Sequence, residues 1–249
     1  ALITGVGGFV GKYLSELLIE NNIDVCGVDR VKKSIKDVTS YEGDILDEES
    51  LFTIIDKEKP DLVFHLAGQS SVEKSFSEPE LTKKINVLGT ENVLKAVLKA
   101  KLKPKILVVS SVEVYGIPKT LPINEKHSLK PNSPYGESRV EQEKVCMQYV
   151  EDQDMHIIIS RSFNHTGPGQ PLPFVCPTIT KQVAEIKQGK KKPVVMLGDP
   201  LVRRDFSDVR DMVKAYLVAL EKGEKGEIYN LCSGKAHSLR ELIDLLSKE

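Results

Sequence analysis

Ser133-Pro134-Tyr135-Gly136-Glu137-Ser138-Arg139 sets a tyrosine and a cation four residues apart at what reads as a helix start. Ser133 is a favoured N-cap and Pro134 a favoured first helical residue. Positions i and i+4 of a helix face the same way, so the phenol of Tyr135 and the guanidinium of Arg139 are expected side by side. A fixed cation stabilises a nearby phenolate, which equips a tyrosine to exchange a proton with substrate. Such a proton must move whenever hydride enters or leaves a carbon that bears oxygen. Arginine supplies the charge, but its planar fork is bulkier than an ammonium group and it cannot relay a proton by deprotonating.

Ser111 closes a second chemically interesting stretch, Ser110-Ser111-Val112-Glu113-Val114-Tyr115-Gly116, after the apolar run Ile106–Ser110. Its hydroxyl can donate to the same substrate oxygen. Glu113 lies two residues on and, in an extended strand, points the same way as Ser111.

Thr4-Gly5-Val6-Gly7-Gly8-Phe9-Val10-Gly11 follows the first apolar run and opens the first helical one. Gly5 permits a tight turn, Gly8 lets backbone approach a pyrophosphate, and Gly11 lets helix and strand pack closely. The helix start then offers N–H groups and the positive end of a dipole to phosphate. Asp29 ends the next strand, eighteen residues after Gly11. A carboxylate there accepts ribose hydroxyls and repels a 2′-phosphate, favouring NAD over NADP. Arg30 pulls the other way, since arginine is the usual phosphate partner, so NADP stays open. Asp44, after Gly43, ends the third strand and is placed to meet an adenine.

These residues need a scaffold that gathers strand ends. Strands are predicted at Leu2–Thr4, Asp24–Val28, Thr39–Glu42, Leu62–Leu66, Ile106–Ser110 and Ile157–Ser160. Between them, helical spacing of apolar residues predicts helices over Phe9–Glu20, Glu48–Glu58, Leu81–Ala100 and Tyr135–Val150. Continuous Val/Ile/Leu strands are buried on both faces, the parallel-sheet pattern. The fold class is therefore α/β, a Rossmann-type doubly wound parallel sheet. After Arg161 a Gly/Pro-rich loop, Thr166–Pro173, breaks the rhythm. Helices over Pro177–Gln188 and Val209–Glu221, strands over Val194–Leu197 and Ile228–Leu231, and a final helix behind the capping box Ser238–Glu241 follow. This divides the chain into a dinucleotide-binding domain, 1–165, and a smaller C-terminal substrate lobe, 166–249, interleaved with the core.

The net charge of -1 gives no basic footprint for nucleic acid or an anionic membrane. Lys190-Lys191-Lys192 reads as a solvated loop. The four cysteines are far apart, as expected of free thiols in a reducing cytoplasm. No Cys or His spacing suits a metal, and none is expected. His65 ends a core strand and reads as structural, while His165 sits in a turn. No apolar run reaches the ~18 residues of a membrane span, and no signal peptide is evident.

Thr4–Gly11, His65–Val72 (His-Leu-Ala-Gly-Gln-Ser-Ser-Val), Ser110–Gly116 and Ser133–Arg139 together resemble the extended short-chain dehydrogenase/reductases that modify nucleotide sugars. Phe163–Gln170 and Arg203–Asp211 are most similar to GDP-4-keto-6-deoxymannose reductases, and next to GDP-mannose 4,6-dehydratases. The resemblance puts Ser111, Tyr135 and Arg139 on the family's Ser/Thr–Tyr–Lys trio, with arginine at the lysine position. Glu113 matches a glutamate that in dehydratases helps remove water across C5 and C6 and that reductases can also carry. The resemblance implies an NAD or NADP site of Gly5, Gly8, Phe9, Val10, Asp29, Arg30, Asp44, Ile45, Leu66, Ala67, Gly68, Tyr135 and Arg139. It implies Ser70, Ser111, Glu113, Asn164 and Arg204 around a nucleotide sugar, a GDP-hexose favoured. It implies a homodimer through the helices at 81–100 and 135–150, and a C-terminus that continues further in other members. The expected activity is reduction of the C4 keto group of GDP-4-keto-6-deoxymannose, with Tyr135 as proton donor. A 4,6-dehydratase or 4-epimerase that retains its NAD, and a non-catalytic NAD-binding protein, are the alternatives.

Overall fold

The first apolar run forms β1 (Leu2–Thr4) and leads through the glycine turn into α1 (Phe9–Glu20). β2 (Val25–Asp29), β3 (Val38–Glu42), α2 (Glu48–Glu58) and β4 (Leu62–His65) follow. The structure is a computed structural model describing residues 1–248. Beyond β4 come α3 (Val72–Ser77), α4 (Pro79–Lys83), a π-helical turn at Lys84–Leu88 and α5 (Gly89–Lys99). β5 (Lys105–Ser111) then runs into a 3-10 turn, Val112–Tyr115, ahead of α6 (Pro134–Gln153) and β6 (Ile157–Ser162). The remaining elements are β7 (Asn164–Thr166), α7 (Val175–Lys187), β8 (Arg203–Asp208), α8 (Val209–Lys222), β9 (Ile228–Leu231), β10 (Ala236–Ser238) and α9 (Leu239–Lys248).

The chain divides into two units. The first, Ala1–Ser162 with Val213–Leu231, holds a seven-stranded sheet of order β3-β2-β1-β4-β5-β6-β9. All its strand pairs are parallel. Its inner strands β1, β2, β4, β5 and β6 are buried on both faces, as their sequences predict, while the edge strands β3 and β9 are only partly covered. Leu2, Val63, Ile106 and Ile157 join the core shared with α2 and α5. Their neighbours Ile3, Phe64, Leu107 and Ile158 face the opposite way and are equally inaccessible. Each such side chain removed from water contributes about 1.5–3 kcal/mol, enough to hold the strand ends in register.

The second unit, Phe163–Met212 with the residues from Cys232 on, contains a three-stranded sheet of order β10-β8-β7. A division at 165/166 differs from this one because β9 pairs in parallel with β6, from Ile159↔Ile228 to Ser162↔Leu231, and so belongs to the large sheet. Val194–Leu197 is not a strand. Its backbone is met by a side chain instead: Gln182 Oε1 accepts from Met196 N–H at 2.8 Å, and Gln182 Nε2 donates to Met196 O at 2.8 Å. The Ser238 capping box forms as expected: Ser238 Oγ accepts from Glu241 N–H at 3.1 Å, and Ser238 N–H donates to Glu241 Oε2 at 3.2 Å.

The expected helix 81–100 is interrupted by its π turn. Gly89 lies just beyond it, and a Cβ there would stand 2.5 Å from Ile45 Cδ1, so a larger residue would displace the buried Ile45 side chain where α5 approaches the β3–α2 loop. Such turns often mark functional sites, and this one carries the wholly buried Asn86.

Candidate active site

The strand order reverses between β1 and β4, where doubly wound sheets hold their ligands. Gly5 follows β1 with φ +75°, and a Cβ on it would meet Ala67 N at 3.0 Å, so the loops after β1 and β4 abut. Leu66 N–H donates to Thr4 O at 3.2 Å, and Ala67 N–H to Thr4 Oγ1 at 3.2 Å. Gly8 is the exposed N-cap of α1 and has no side chain to cap it. The N–H groups of Phe9 and Val10 in the first turn have no intrahelical acceptor and are open to an anion. Phe9 is held edge-on against Tyr13, with ring centroids 5.7 Å apart.

Asp29 is half-buried at the end of β2, and its Oδ2 accepts from Gly7 N–H at 3.1 Å. Arg30 is exposed beside it. Lys33, which motif reading passes over, donates its Nζ to Gly7 O at 2.7 Å and brings a second cation to the glycine loop. A pair of lysines after an Asp-Arg is its only trace in the sequence. Asp44 shapes its own turn by accepting from Leu46 N–H at 2.9 Å. Ile45 is buried, with its carbonyl accepting from Asn92 Nδ2 at 3.0 Å.

α6 begins as its sequence predicts. Ser133 Oγ accepts from Gly136 N–H at 3.1 Å, and Pro134 opens the first turn. A Cβ at Gly136 would lie 2.6 Å from Glu113 O, so glycine lets the helix start settle onto the 3-10 turn. Tyr135 and Arg139 are both buried. The guanidinium Cζ lies 5.2 Å from the phenol ring centroid. Arg139 Nη1 donates to Val109 O at 3.1 Å and to Gln142 Oε1 at 3.0 Å, while its Nε is buried with no partner. Among the described residues no carboxylate pairs with it. Nη2 faces Gly68, where a Cβ would stand 3.0 Å away.

Ser111 is buried at the end of β5. Its Oγ accepts from Glu113 N–H at 3.2 Å and caps the 3-10 turn. That corrects the extended-strand reading of Glu113: the strand stops at Ser111, so alternation no longer sets the direction of the half-buried glutamate. Ser70 is exposed just before α3.

Behind Arg139 runs a chain of buried polar groups that apolar periodicity does not reveal. Gln142 Nε2 donates to Thr90 Oγ1 at 2.8 Å, which lies 2.9 Å from His65 Nε2. His65 Nδ1 lies 2.8 Å from Thr4 Oγ1 at the root of the glycine loop. Burial, with help from the Arg139 charge, pushes the His65 imidazole down to about 3, so it is neutral and structural. Asn86 Oδ1 accepts from Gln69 N–H at 2.8 Å, and its Nδ2 donates to Ser138 Oγ at 2.9 Å, tying the π turn to α6.

In the second unit, Asn164 is half-buried on β7, opposite Phe206 of β8. Arg204 is exposed, its Nη1 donating to Arg203 O at 2.9 Å. His165 Nδ1 lies 3.0 Å from Phe163 O, and burial lowers its basicity. Among the described residues no helix is long and apolar enough to cross a membrane.

Comparison with known proteins agrees with this architecture. The family profile described as GDP-mannose 4,6 dehydratase matches residues 2–249. GDP-6-deoxy-D-mannose reductase of Pseudomonas aeruginosa is 38% identical over 98% of this chain and 78% of its own length. GDP-mannose 4,6-dehydratase of Vibrio cholerae serotype O1 is 31% identical over 100% of this chain and 71% of its own. The solved structure of RMD from Pseudomonas aeruginosa complexed with NADPH superposes with a TM-score of 0.87 at 37% identity, covering 99% of this chain and 82% of that one. A glycine loop at the strand reversal, a Tyr135–Arg139 pair on α6 and a profile match along the chain have one common explanation: this protein belongs to the GDP-mannose 4,6-dehydratase family.

Proposed function

We propose that this protein is a nicotinamide-dependent nucleotide-sugar reductase acting on the C4 keto group of GDP-4-keto-6-deoxymannose. The observation that carries the reading is the Tyr135–Arg139 pair, a buried guanidinium lying over a buried phenol with, among the described residues, no carboxylate to neutralise it. The 38% identity to the Pseudomonas aeruginosa reductase supports the choice of substrate.

The residues present fit a dinucleotide: α1 starts on an open glycine N-cap, Arg139 keeps a buried Nε without a partner, and its Nη2 faces Gly68. The backbone of Gly5, Gly8, Phe9 and Val10 would hold the pyrophosphate. Asp29, Arg30 and Lys33 would hold the adenosine ribose, and Asp44 and Ile45 the adenine. Leu66, Ala67 and Gly68, with Tyr135 and Arg139, would hold the nicotinamide end. Asp29 suits NAD, whereas Arg30, Lys33 and the NADPH of the Pseudomonas aeruginosa structure support NADP. The reduced nicotinamide, when bound, supplies hydride.

Tyr135 gives its proton to the sugar O4 as that oxygen gains charge, and Ser111 donates a hydrogen bond to the same atom. Arg139 stabilises the phenolate left behind. Asn164 and Arg204 are proposed contacts for the diphosphate, an anion that a guanidinium recognises well, and Ser70 a contact for the sugar. We further propose that the enzyme is a cytoplasmic homodimer formed through α5 and α6, which light scattering at micromolar concentration tests.

Incubation with GDP-4-keto-6-deoxymannose and NADPH or NADH should oxidise one cofactor per sugar reduced, followed at 340 nm and by mass spectrometry. The second reading is a 4,6-dehydratase, whose glutamate Glu113 matches, although reductases can carry it too. Conversion of GDP-mannose without added cofactor would establish that reading in place of the first. Inactivity on all nucleotide sugars, with dinucleotide binding intact, would leave a non-catalytic binding protein.

A further inference from the structure

We infer that Gln142 is a positioning residue for Arg139, the group that lets an arginine serve beside the proton-donating tyrosine. The inference rests on the roles proposed above for Tyr135 and Arg139.

Arginine reaches its place through four side-chain torsions, and a buried one needs several acceptors to keep a single orientation. Arg139 has two, both on Nη1: Val109 O at 3.1 Å and Gln142 Oε1 at 3.0 Å. The first is backbone at the sheet. The second is the only side chain that holds the guanidinium among the described residues, and it is completely buried one turn along α6.

The amide of Gln142 presents its oxygen to Arg139 for a reason that can be traced atom by atom. Thr90 Oγ1 has one hydrogen and gives it to Asn86 O at 2.7 Å. Thr90 can therefore only accept from Gln142 and from His65. The Gln142 nitrogen must face Thr90, which turns its oxygen toward Arg139. His65 must then carry its proton on Nε2 and accept at Nδ1 from Thr4, whose oxygen in turn accepts from Ala67 N–H. Each hydrogen bond from Ala67 to Arg139 thus has a single direction, and reversing the amide would break the bonds at both of its ends. α5 and the root of the glycine loop thus set the orientation of an arginine on α6.

The choice of an amide has an electrostatic consequence. A carboxylate at this position would hold the guanidinium equally well and cancel its charge. Glutamine holds it and leaves the charge for the phenolate, which is what the proton transfer needs.

The test combines a signal from the unliganded protein with a double-mutant cycle. A slowly exchanging guanidinium resonance should be present in nitrogen-15 NMR of the native protein, assigned by its loss in Arg139→Lys. It should broaden or vanish in Gln142→Met and in Gln142→Leu, two variants without the acceptor, so that failure of one to fold leaves the other. In turnover, Gln142→Met should lower kcat on the order of tenfold, with KM changed less than twofold. The same change made in the Arg139→Lys background should cost less than twofold, because an ammonium group does not need that acceptor. Equal losses in both backgrounds would mean that Gln142 only packs the core, and a guanidinium resonance unchanged in Gln142→Met would overturn the inference. If no nucleotide sugar is turned over, the proposed function fails while the resonance still decides the role of Gln142.

Discussion

The guanidinium of Arg139 lies over the ring of Tyr135, four residues earlier on α6, with 5.2 Å between Cζ and the ring centroid. The pair is carried by the first two turns of one helix. That helix is fastened by the Ser133 cap below it and by the close contact of Gly136 with Glu113 O. Phenol and cation therefore move as one body.

Removing the proton tests the donor. Tyr135→Phe keeps the ring under the guanidinium and takes away the hydroxyl, so kcat should fall by ~10²–10⁴-fold. Affinity for the reduced cofactor, read from its fluorescence, should stay within about threefold, since the proposed dinucleotide contacts lie mainly in the loops after β1, β2 and β4. Arg139→Met keeps length and loses charge, with an expected drop of ~10²-fold, whereas Arg139→Lys should remain within about tenfold of native. A fully active Tyr135→Phe would require another proton source.

Cofactor choice should turn on Asp29 and Lys33. The Asp29 carboxylate is oriented by Gly7 N–H, and Lys33 reaches across to Gly7 O. Asp29→Asn removes the charge that repels a 2′-phosphate and should shift the ratio of affinities toward NADPH by about tenfold. Lys33→Met should shift it toward NADH. Titration calorimetry of both cofactors against both variants gives the ratios, and parallel shifts would dissociate these residues from the ribose.

The site was legible wherever one residue type is demanded by local geometry. Ser133 and Pro134 announce a helix start, the glycines a close turn, and the Val/Ile/Leu runs a sheet buried on both faces. What escaped detection is long-range polar pairing. Val194–Leu197 reads as a strand, yet Gln182 supplies the hydrogen bonds that a neighbouring strand would. Arg203–Asp208 forms a strand of the small sheet, and its residues carry no apolar alternation that would mark it in the sequence. Gln142 is satisfied by Thr90 and Arg139, and Asn86 by Gln69 and Ser138, and no periodicity marks a residue whose partner lies on another element.

The buried ion pair of Glu143 and Arg161 should govern stability. Arg161 Nη2 lies 2.7 Å from Glu143 Oε2, and the two side chains are 4% and 5% exposed. Ser110 Oγ donates to the same carboxylate at 2.6 Å, and Arg161 Nη1 donates to Tyr115 Oη at 2.9 Å. Arg161→Met would strand a buried carboxylate, at a cost of ~3–5 kcal/mol. Calorimetry should record a fall in Tm of about 6–20 °C. The double variant Glu143→Leu/Arg161→Met leaves no charge unpaired and should recover much of that loss.

Acid sensitivity should trace to His65. Its imidazole titrates at the ordinary 6.5 when unfolded and at about 3 in the native protein, because burial and then the Arg139 charge oppose protonation. A base whose affinity for protons is depressed by folding makes the unfolded state the better proton acceptor at low pH. Its contribution is complete above about pH 6.5 and is lost progressively as the pH falls toward 3. Over that window the unfolded chain binds about one proton more than the native one, a slope of ~1.4 kcal/mol per pH unit. Carboxylates add slopes of their own below pH 5, so the informative quantity is a difference between proteins. Urea unfolding of the native protein and His65→Gln between pH 4.5 and 6.5 should show the variant less stable at the upper end, because it disturbs the Thr4–Thr90 bridge, and flatter in its pH dependence by about one proton. Equal slopes in the two proteins would mean that His65 is already charged in the folded state, donating to Thr4 as well as to Thr90, so that the Thr4 end of the chain would run in the opposite direction while Gln142 still faced Arg139.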